Sequence, residues 1–230
     1  MLVSIITPTY NRRAFLPRVI ECVKSQTWPL LEWIILDDGT DKVGDLFDLV
    51  DPVDLINPLH HSVQVRYIAC PDGEKLPIGA KRNRLNDLAQ GDLIVCMDDD
   101  DYYPPDRVAH AINSLLTNSD CKIAGSSEMY LKFTDRDEVW RSGPFGPNHA
   151  TNNTMAYWRS YTKNHRYDET VAFGEERSFT NDWTEPMVQL NPISTVLMTC
   201  HDHNTFDKRV LLKNPPSIMQ KIDLAPWPAV

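Results

Sequence analysis

Four consecutive aspartates, Asp98 to Asp101, close the apolar run Leu93-Ile94-Val95-Cys96-Met97 and are followed, after two tyrosines, by Pro104-Pro105. Neighbouring α-carbons lie about 3.8 Å apart, so four ionised carboxylates in one turn repel each other unless water screens them or a cation draws them together. Hard oxygen donors suit Mg²⁺ or Mn²⁺. Mg²⁺ typically takes only one or two protein carboxylates and fills its shell with phosphate oxygens and water, a combination that implies a bound diphosphate. The same run also reads as an acidic, solvated cap for a helix beginning at the prolines, since Asp is a favoured capping residue.

The elements that must hold such a run follow from the hydrophobic pattern. Residues 93–97 have no polar alternation, as in a strand covered on both faces within a parallel sheet. Pro104 or Pro105 fits the first turn of a helix whose apolar face is Val108, Ile112, Leu115 and Leu116. The aspartates then occupy a strand-to-helix turn, and in open α/β sheets ligands bind outside the carboxyl ends of the strands. Upstream, VSIIT (3–7) predicts a first strand ended by Pro8, and a helix follows with Phe15, Val19, Cys22, Val23 and Gln26 on one stripe. WIIL (33–36) predicts a second strand that also ends in acid, Asp37-Asp38-Gly39. A right-handed βαβ unit puts both acidic ends on one edge of the sheet, although D-G taken singly is an ordinary turn. Residues 41–62 predict a short helix near 45–49 and otherwise a loop carrying His60 and His61, and VQVRYI (63–68) alternates as a third strand. Lys81 and Arg82 fall in the first turn of a helix opened by Ile78, where they oppose the helix dipole. A bound phosphate would offset that; a solvated basic surface is the plain alternative.

A length of 230 residues with 42% hydrophobic content fits one globular α/β domain with a real core. The net charge of −9 argues against a general nucleic-acid binder. No run approaches the roughly 18 apolar residues of a membrane span. Met1 leads directly into a strand rather than into a basic segment and apolar core, so a soluble, cytoplasmic protein is expected. The five cysteines (Cys22, Cys70, Cys96, Cys121, Cys200) are odd in number and widely spaced, and read as reduced core residues.

As a set, VSIITPTYNR, WIILDDGT, GAKRN and GDLIVCMDDDDYYPPDRV, in this order and spacing over the first half of the chain, resemble the nucleotide-sugar-dependent glycosyltransferases of the GT-A fold, specifically the inverting group called family 2. The resemblance implies a Rossmann-like α/β fold with a central, mostly parallel sheet flanked by helices. It implies one transferase domain over 1–214, with 1–118 as the nucleotide-sugar-binding half and 119–214 as the acceptor-side half, and a Pro-rich tail or linker over 215–230. In that family the first loop, here Thr7, Pro8, Tyr10 and Arg12, holds the nucleoside together with Asp38, the partner for a uracil N–H. The acidic run matches the D-x-D element, with Asp99 at the ribose and Asp100 on the metal; Asp98 and Asp101 are rivals by one register. Lys81 and Arg82 match positions near the diphosphate.

Further along, FGEERSF resembles the element that supplies the family's catalytic base, usually Glu-Asp or Asp; here it is Glu175-Glu176, which leaves either as the base. Adjacent helical residues face about 100° apart, so only one would point into the cleft. HDHNT resembles an H-x-x-N-T form, with His201 favoured over His203 as a metal ligand and Lys208 and Arg209 near enough to help neutralise the pyrophosphate. Residues 121–126 and 194–199 read as strands, 129–133 and 138–140 as a hairpin, and the polar loop holding Asn152, Asn153 and Thr154 runs into a helix at Met155. The implied activity is Mn²⁺- or Mg²⁺-dependent, inverting transfer of a sugar from a UDP-sugar, or another nucleoside-diphosphate sugar, to a hydroxyl on a glycan or other acceptor, in a chain that could carry further domains. Two alternatives stand beside it. A sugar-phosphate nucleotidyltransferase should carry a Gly-rich basic loop after its first strand, whereas TPTYNRR has no glycine. A non-catalytic nucleotide-sugar-binding module would keep the donor site and lack a base.

Overall fold

The computed structural model describes residues 1–48, 56–57, 61–204, 207–223 and 227. His60 and the end of the short helix expected near 45–49 lie outside them. In chain order the elements are β1 (Val3–Thr9), α1 (Leu16–Lys24), β2 (Leu30–Asp37), α2 (Asp45–Asp48), β3 (Ile56–Asn57), β4 (His61–Ala69), α3 (Ile78–Leu88), β5 (Leu93–Cys96) and α4 (Arg107–Thr117). The second half adds β6 (Ile123–Gly125), β7 (Met129–Phe133), β8 (Glu138–Ser142), β9 (Ala156–Trp158), α5 (Glu176–Phe179), β10 (Met187–Gln189), β11 (Leu197–Cys200) and β12 (Met219–Ile222).

The larger sheet has the order β10-β6-β9-β5-β1-β2-β4-β3. β1, β2, β4 and β5 run parallel, and so do β6 and β10; β9 lies antiparallel between β5 and β6, and β3 pairs antiparallel with β4 at the edge. Period-two alternation decides which residue faces which helix layer. Val3, Ile5, Trp33, Ile35, Leu93 and Val95 share one core with Val19 and Val23 of α1 and Val108, Ile112 and Leu115 of α4. Ile6, Ile34, Leu36, Ile94 and Cys96 face the other way, onto Leu85 of α3 and the Tyr157–Phe179 cluster. Both faces are therefore covered, which is why these strands show no polar alternation.

The smaller sheet has the order β11-β7-β8-β12, and Tyr102, in the segment between β5 and α4, makes an isolated antiparallel bridge with Leu197 of β11. The hairpin expected over 129–140 is its centre, and part of the Pro-rich tail, Met219–Ile222, pairs antiparallel with β8. All five cysteines are free thiols, four of them buried.

Several sequence expectations change. β1 does not stop at Pro8 but runs to Thr9. The backbone of residues 6 and 8 faces β5, whose pairing ends at Ile6, so the missing N–H of Pro8 costs no ladder bond on that side. Pro104 and Pro105 precede α4 in a turn rather than opening it, and Leu116 is 53% exposed instead of joining the apolar face. His61 begins a strand, not a loop. The largest difference is at Met155: no helix forms there, because Ala156–Trp158, with Ala156 and Tyr157 buried, fills the slot between β5 and β6 as an antiparallel strand. Asn152–Thr154 makes one 3₁₀ turn leading into it.

Candidate active site

The carboxyl ends of β1, β2 and β5 converge on one rim, as the βαβ reading requires, and each of the four aspartates there has a different environment. Asp101 is buried; its Oδ1 accepts from the backbone N–H of Thr199 (2.8 Å) and its Oδ2 from Asn153 Nδ2 (2.6 Å), tying the run to both β11 and the turn before β9. Burial and the charges of Asp100 and Asp98 push its pKa up to about 8. Asp99 is buried too, and burial reinforced by the Asp100 charge holds its carboxyl well above the usual range, with Arg12 Nε at 3.8 Å as the nearby cation. Asp98 points the opposite way along the rim, into a bidentate pair with Arg82 (3.0 and 3.2 Å).

Asp100 is the one that meets His201. Burial raises its pKa, but the hydrogen bond from His201 and the charges of Arg12 and Lys208 outweigh that, and it stays below the ordinary aspartate value. His201 Nδ1 accepts from the backbone N–H of His203 (3.1 Å), which assigns the ring proton to Nε2, the atom 3.2 Å from Asp100 Oδ2. Asn204 Nδ2 donates to the same carboxylate oxygen (3.1 Å), and Phe15 stacks on the imidazole with ring centroids 4.2 Å apart. His203, the rival ligand, is exposed. Among the described residues no three His, Cys, Asp or Glu side chains converge as a metal cage. One carboxylate and one imidazole, both nearly buried and facing each other, are nonetheless a donor set that fits Mn²⁺, or Mg²⁺ less well, in a shell completed by phosphate oxygens and water.

Lys81 and Arg82 of α3 are buried, which removes the solvated-surface reading for them, and what balances them against the helix dipole is protein carboxylate. Lys81 Nζ donates to Asp38 Oδ1 (2.7 Å) while Asp38 Oδ2 accepts from the backbone N–H of Leu76 (2.8 Å). Lys81 thus belongs to the Asp38 end of the rim. Tyr10 lies there as well, its ring beneath Lys75 (4.4 Å) and Lys81 (5.8 Å). Asp37 is spent inside, accepting from Gly39 N, Val43 N and the Tyr67 hydroxyl, so of this acid pair it is Asp38 that stands with Tyr10. Gly39 is required for closeness: a Cβ there would sit 2.7 Å from the backbone nitrogen of Asn11, the residue whose side chain ties the first loop to Thr40 and Asp41. Thr7, by contrast, uses its hydroxyl within the sheet, donating to Met97 O and accepting from Trp33 Nε1, and Pro8 is buried beside it; both support the loop from within.

Arg82 links the acidic run to the second half. Its Nε donates to Glu175 Oε1 (3.0 Å), which also accepts from Asn152 Nδ2 (3.1 Å), and Glu175 is 6% exposed. Glu176 is half-buried and its Oε1 accepts from the backbone N–H of Asn152 (3.2 Å). Burial and the neighbouring Glu175 charge raise the Glu176 pKa. Lys208, read from the sequence as a pyrophosphate neighbour, acts on Asp100 and Asp101 through charge. Arg209 instead pairs with Asp207.

Sequence reasoning missed Phe15, taken for a core residue of the α1 stripe, where Leu16 is buried instead. It also gave no role to Lys75, nor to Asn204, although the i, i+3 spacing of Asn204 from His201 was a usable signal.

This α/β architecture, with an acidic turn at the rim of a mostly parallel sheet, is the GT-A transferase fold. The crystal structure of TarS from S. aureus in complex with UDP-GlcNAc superposes with a TM-score of 0.67 over 89% of this chain and 60% of that one, at 16% identity. Mannosyltransferase PcManGT from Pyrobaculum calidifontis, in complex with GDP-Man and Mn²⁺, gives 0.63 over 88% and 58%, at 13% identity. The model of the family "Glycosyl transferase family 2" matches residues 4–174, and the chain belongs to that family. TuaG of Bacillus subtilis, a glycosyltransferase named for teichuronic acid biosynthesis, is 29% identical over 119 residues, 51% of this chain and 43% of its own length. The chain therefore spans under half of that relative. Among the described residues no helix is long and apolar enough to cross a membrane.

Proposed function

We propose that this chain is the donor-binding and catalytic part of a metal-dependent, inverting glycosyltransferase that moves a sugar from a UDP-sugar to a hydroxyl of a glycan acceptor. The observation that carries it is the convergence of Asp100 with His201 at the same rim where Arg82 joins Asp98 to Glu175. The nucleoside end is the Tyr10, Asp38 and Arg12 corner, where Tyr10 offers a flat base an aromatic ring and a base N–H would share or replace the Lys81 or Leu76 bond to Asp38. Asp99, beside Arg12, faces the ribose. A divalent cation bound by Asp100 and His201 would neutralise charge building on the departing diphosphate; to accept it, His201 must give up the Nε2 proton it now donates to Asp100.

Glu176 is the base in this reading. A raised pKa makes it a better proton acceptor at neutral pH, and it is accessible, whereas Glu175 is held by Arg82 and Asn152. Glu176 takes the proton from the acceptor hydroxyl as the oxygen attacks the anomeric carbon opposite the leaving group, so no covalent enzyme intermediate forms. Glu175 and Asn152 position it. Isothermal titration with UDP, with and without Mn²⁺, paired with an assay for slow UDP-sugar hydrolysis, tests the whole: Mn²⁺-dependent UDP binding that Asp100→Ala and His201→Ala both abolish is expected. A protein that ignores UDP, or binds it equally well without those side chains, would not be this enzyme.

A further inference from the structure

On the far side of the aspartates from Tyr10 and Asp38, the same rim carries a second concavity. β6 and β10 run in the same direction as β5, so Ser127 and Glu128 after β6, and Pro192 after β10, emerge at the edge that holds Asp98–Asp101. Between them and the segment 144–147 lies a groove of about 500 Å³, in the size range of small-ligand sites. Phe145, 48% exposed, forms one wall. Its ring is backed by His149 (centroids 4.9 Å) and His149 in turn by Trp183 (4.4 Å), each pair tilted by 34°.

This aromatic stack is held at a conformational cost. Asn181, Asp182 and Trp183 all have positive φ (48°, 55° and 62°), a backbone state that a bulky side chain adopts only when its surroundings impose it and that clusters at functional sites. The segment bearing Phe145 is fixed as well: Gln189 Nε2 donates to Pro147 O (2.7 Å) and His149 O (3.2 Å), and Phe145 N donates to Ser127 O (3.0 Å). Burial lowers the His149 pKa and keeps the ring uncharged at neutral pH. Among the described residues, Glu128 is the one charged side chain lining the groove. One of its oxygens lies 3.0 Å from Arg141, and the other has no hydrogen-bond partner among the described residues.

We propose that this groove is an acceptor subsite for a neutral pyranose residue, whose C–H face lies on Phe145 and whose ring hydroxyls are taken by Glu128 and Ser127. An aromatic face beside a carboxylate acceptor matches the two unlike faces of a sugar ring. Arg141 pairs with Glu128 from outside the groove lining, and among the described residues no cation lines the groove to receive an anion, which in a chain of net charge −9 disfavours uronic acid or phosphate-bearing acceptors. The inference rests on the transferase reading for what the sugar does once bound, not for its binding.

Saturation-transfer NMR and titration with cellotetraose, chitotetraose and an oligogalacturonate test it on the full chain. Binding of at least one neutral oligosaccharide is expected, about tenfold weaker in Phe145→Ala and restored in Phe145→Tyr, with an unchanged melting temperature because the ring is half exposed. No binding of either neutral oligosaccharide, stronger binding of the galacturonate, or equal affinity in Phe145→Ala would overturn the subsite. UDP titration on the same samples separates the two readings: UDP binding without oligosaccharide binding rejects only the groove, and oligosaccharide binding without UDP binding rejects the transferase and keeps the groove.

Discussion

Replacing Arg82 with alanine removes a guanidinium whose side chain is 5% exposed and which holds three hydrogen bonds to two carboxylates, two to Asp98 and one to Glu175. Glu175 has the amide of Asn152 to fall back on and little access to water, while Asp98 is a quarter exposed and can be rehydrated. Breaking a buried pair by deleting one partner costs about 3–5 kcal/mol because the other charge stays behind uncompensated, and the exposure of Asp98 places this case toward the lower end. For a chain of this size each kcal/mol moves the melting temperature by about 2–4 °C, so Arg82→Ala should melt about 6–20 °C below the parent. Arg82→Lys should fall between, since one ammonium cannot fork across both carboxylates. Arg13→Ala, which removes solvent-exposed pairs with Asp41 and Asp45, serves as the control and should barely move the transition. Thermal unfolding followed by circular dichroism measures all three. If Arg82→Ala melts with the Arg13 control, the buried ion triad does not join the two halves of the molecule and the argument for Arg82 fails.

Glu176→Gln should lower turnover by about 10²–10⁴ with UDP affinity unchanged, and Glu175→Gln should disturb the pH profile more than the maximal rate; near-normal turnover in Glu176→Gln would hand the base to another group. Because Asp99 and Asp101 have pKa values raised by burial, the native state binds more protons than the unfolded chain between about pH 4 and pH 8. The stability they contribute is full below the unfolded aspartate value and lost as pH rises, so the metal-free melting temperature should fall across that window. Added Mn²⁺ should restore it most at the alkaline end, and a metal-free curve that instead climbs throughout would contradict the assigned burial. Gly79→Ala puts a Cβ 2.2 Å from the carbonyl oxygen of Asp168, and overpacking of that kind costs about 1–3 kcal/mol; urea unfolding should show the loss, and an unchanged midpoint would mean that α3 shifts freely against that loop.

The short apolar runs in 3–7, 33–36 and 93–97 were enough to read three parallel strands, because a strand buried on both faces leaves no polar side to its sequence. The recurrence of acid after two of them placed Asp38 and Asp98–Asp101 on one rim, since a right-handed crossover leaves no other option. Local composition could not say which aspartate does what. Asp101 and Asp100 are neighbours with the same side chain, and they differ only because Thr199 and Asn153 reach one and His201 and Asn204 reach the other, from chain segments 52 to 104 residues away. The same holds for Met155, where the expected helix yielded to an open slot between two strands, and for Lys81 and Arg82, whose partners lie just after β2, just after β5 and just before α5. The pattern along the chain determined the layers and the edge at which chemistry gathers; the roles of individual charges were decided in three dimensions, because electrostatic partnership depends on distance through space and on exclusion of water, and neither is written in residue order.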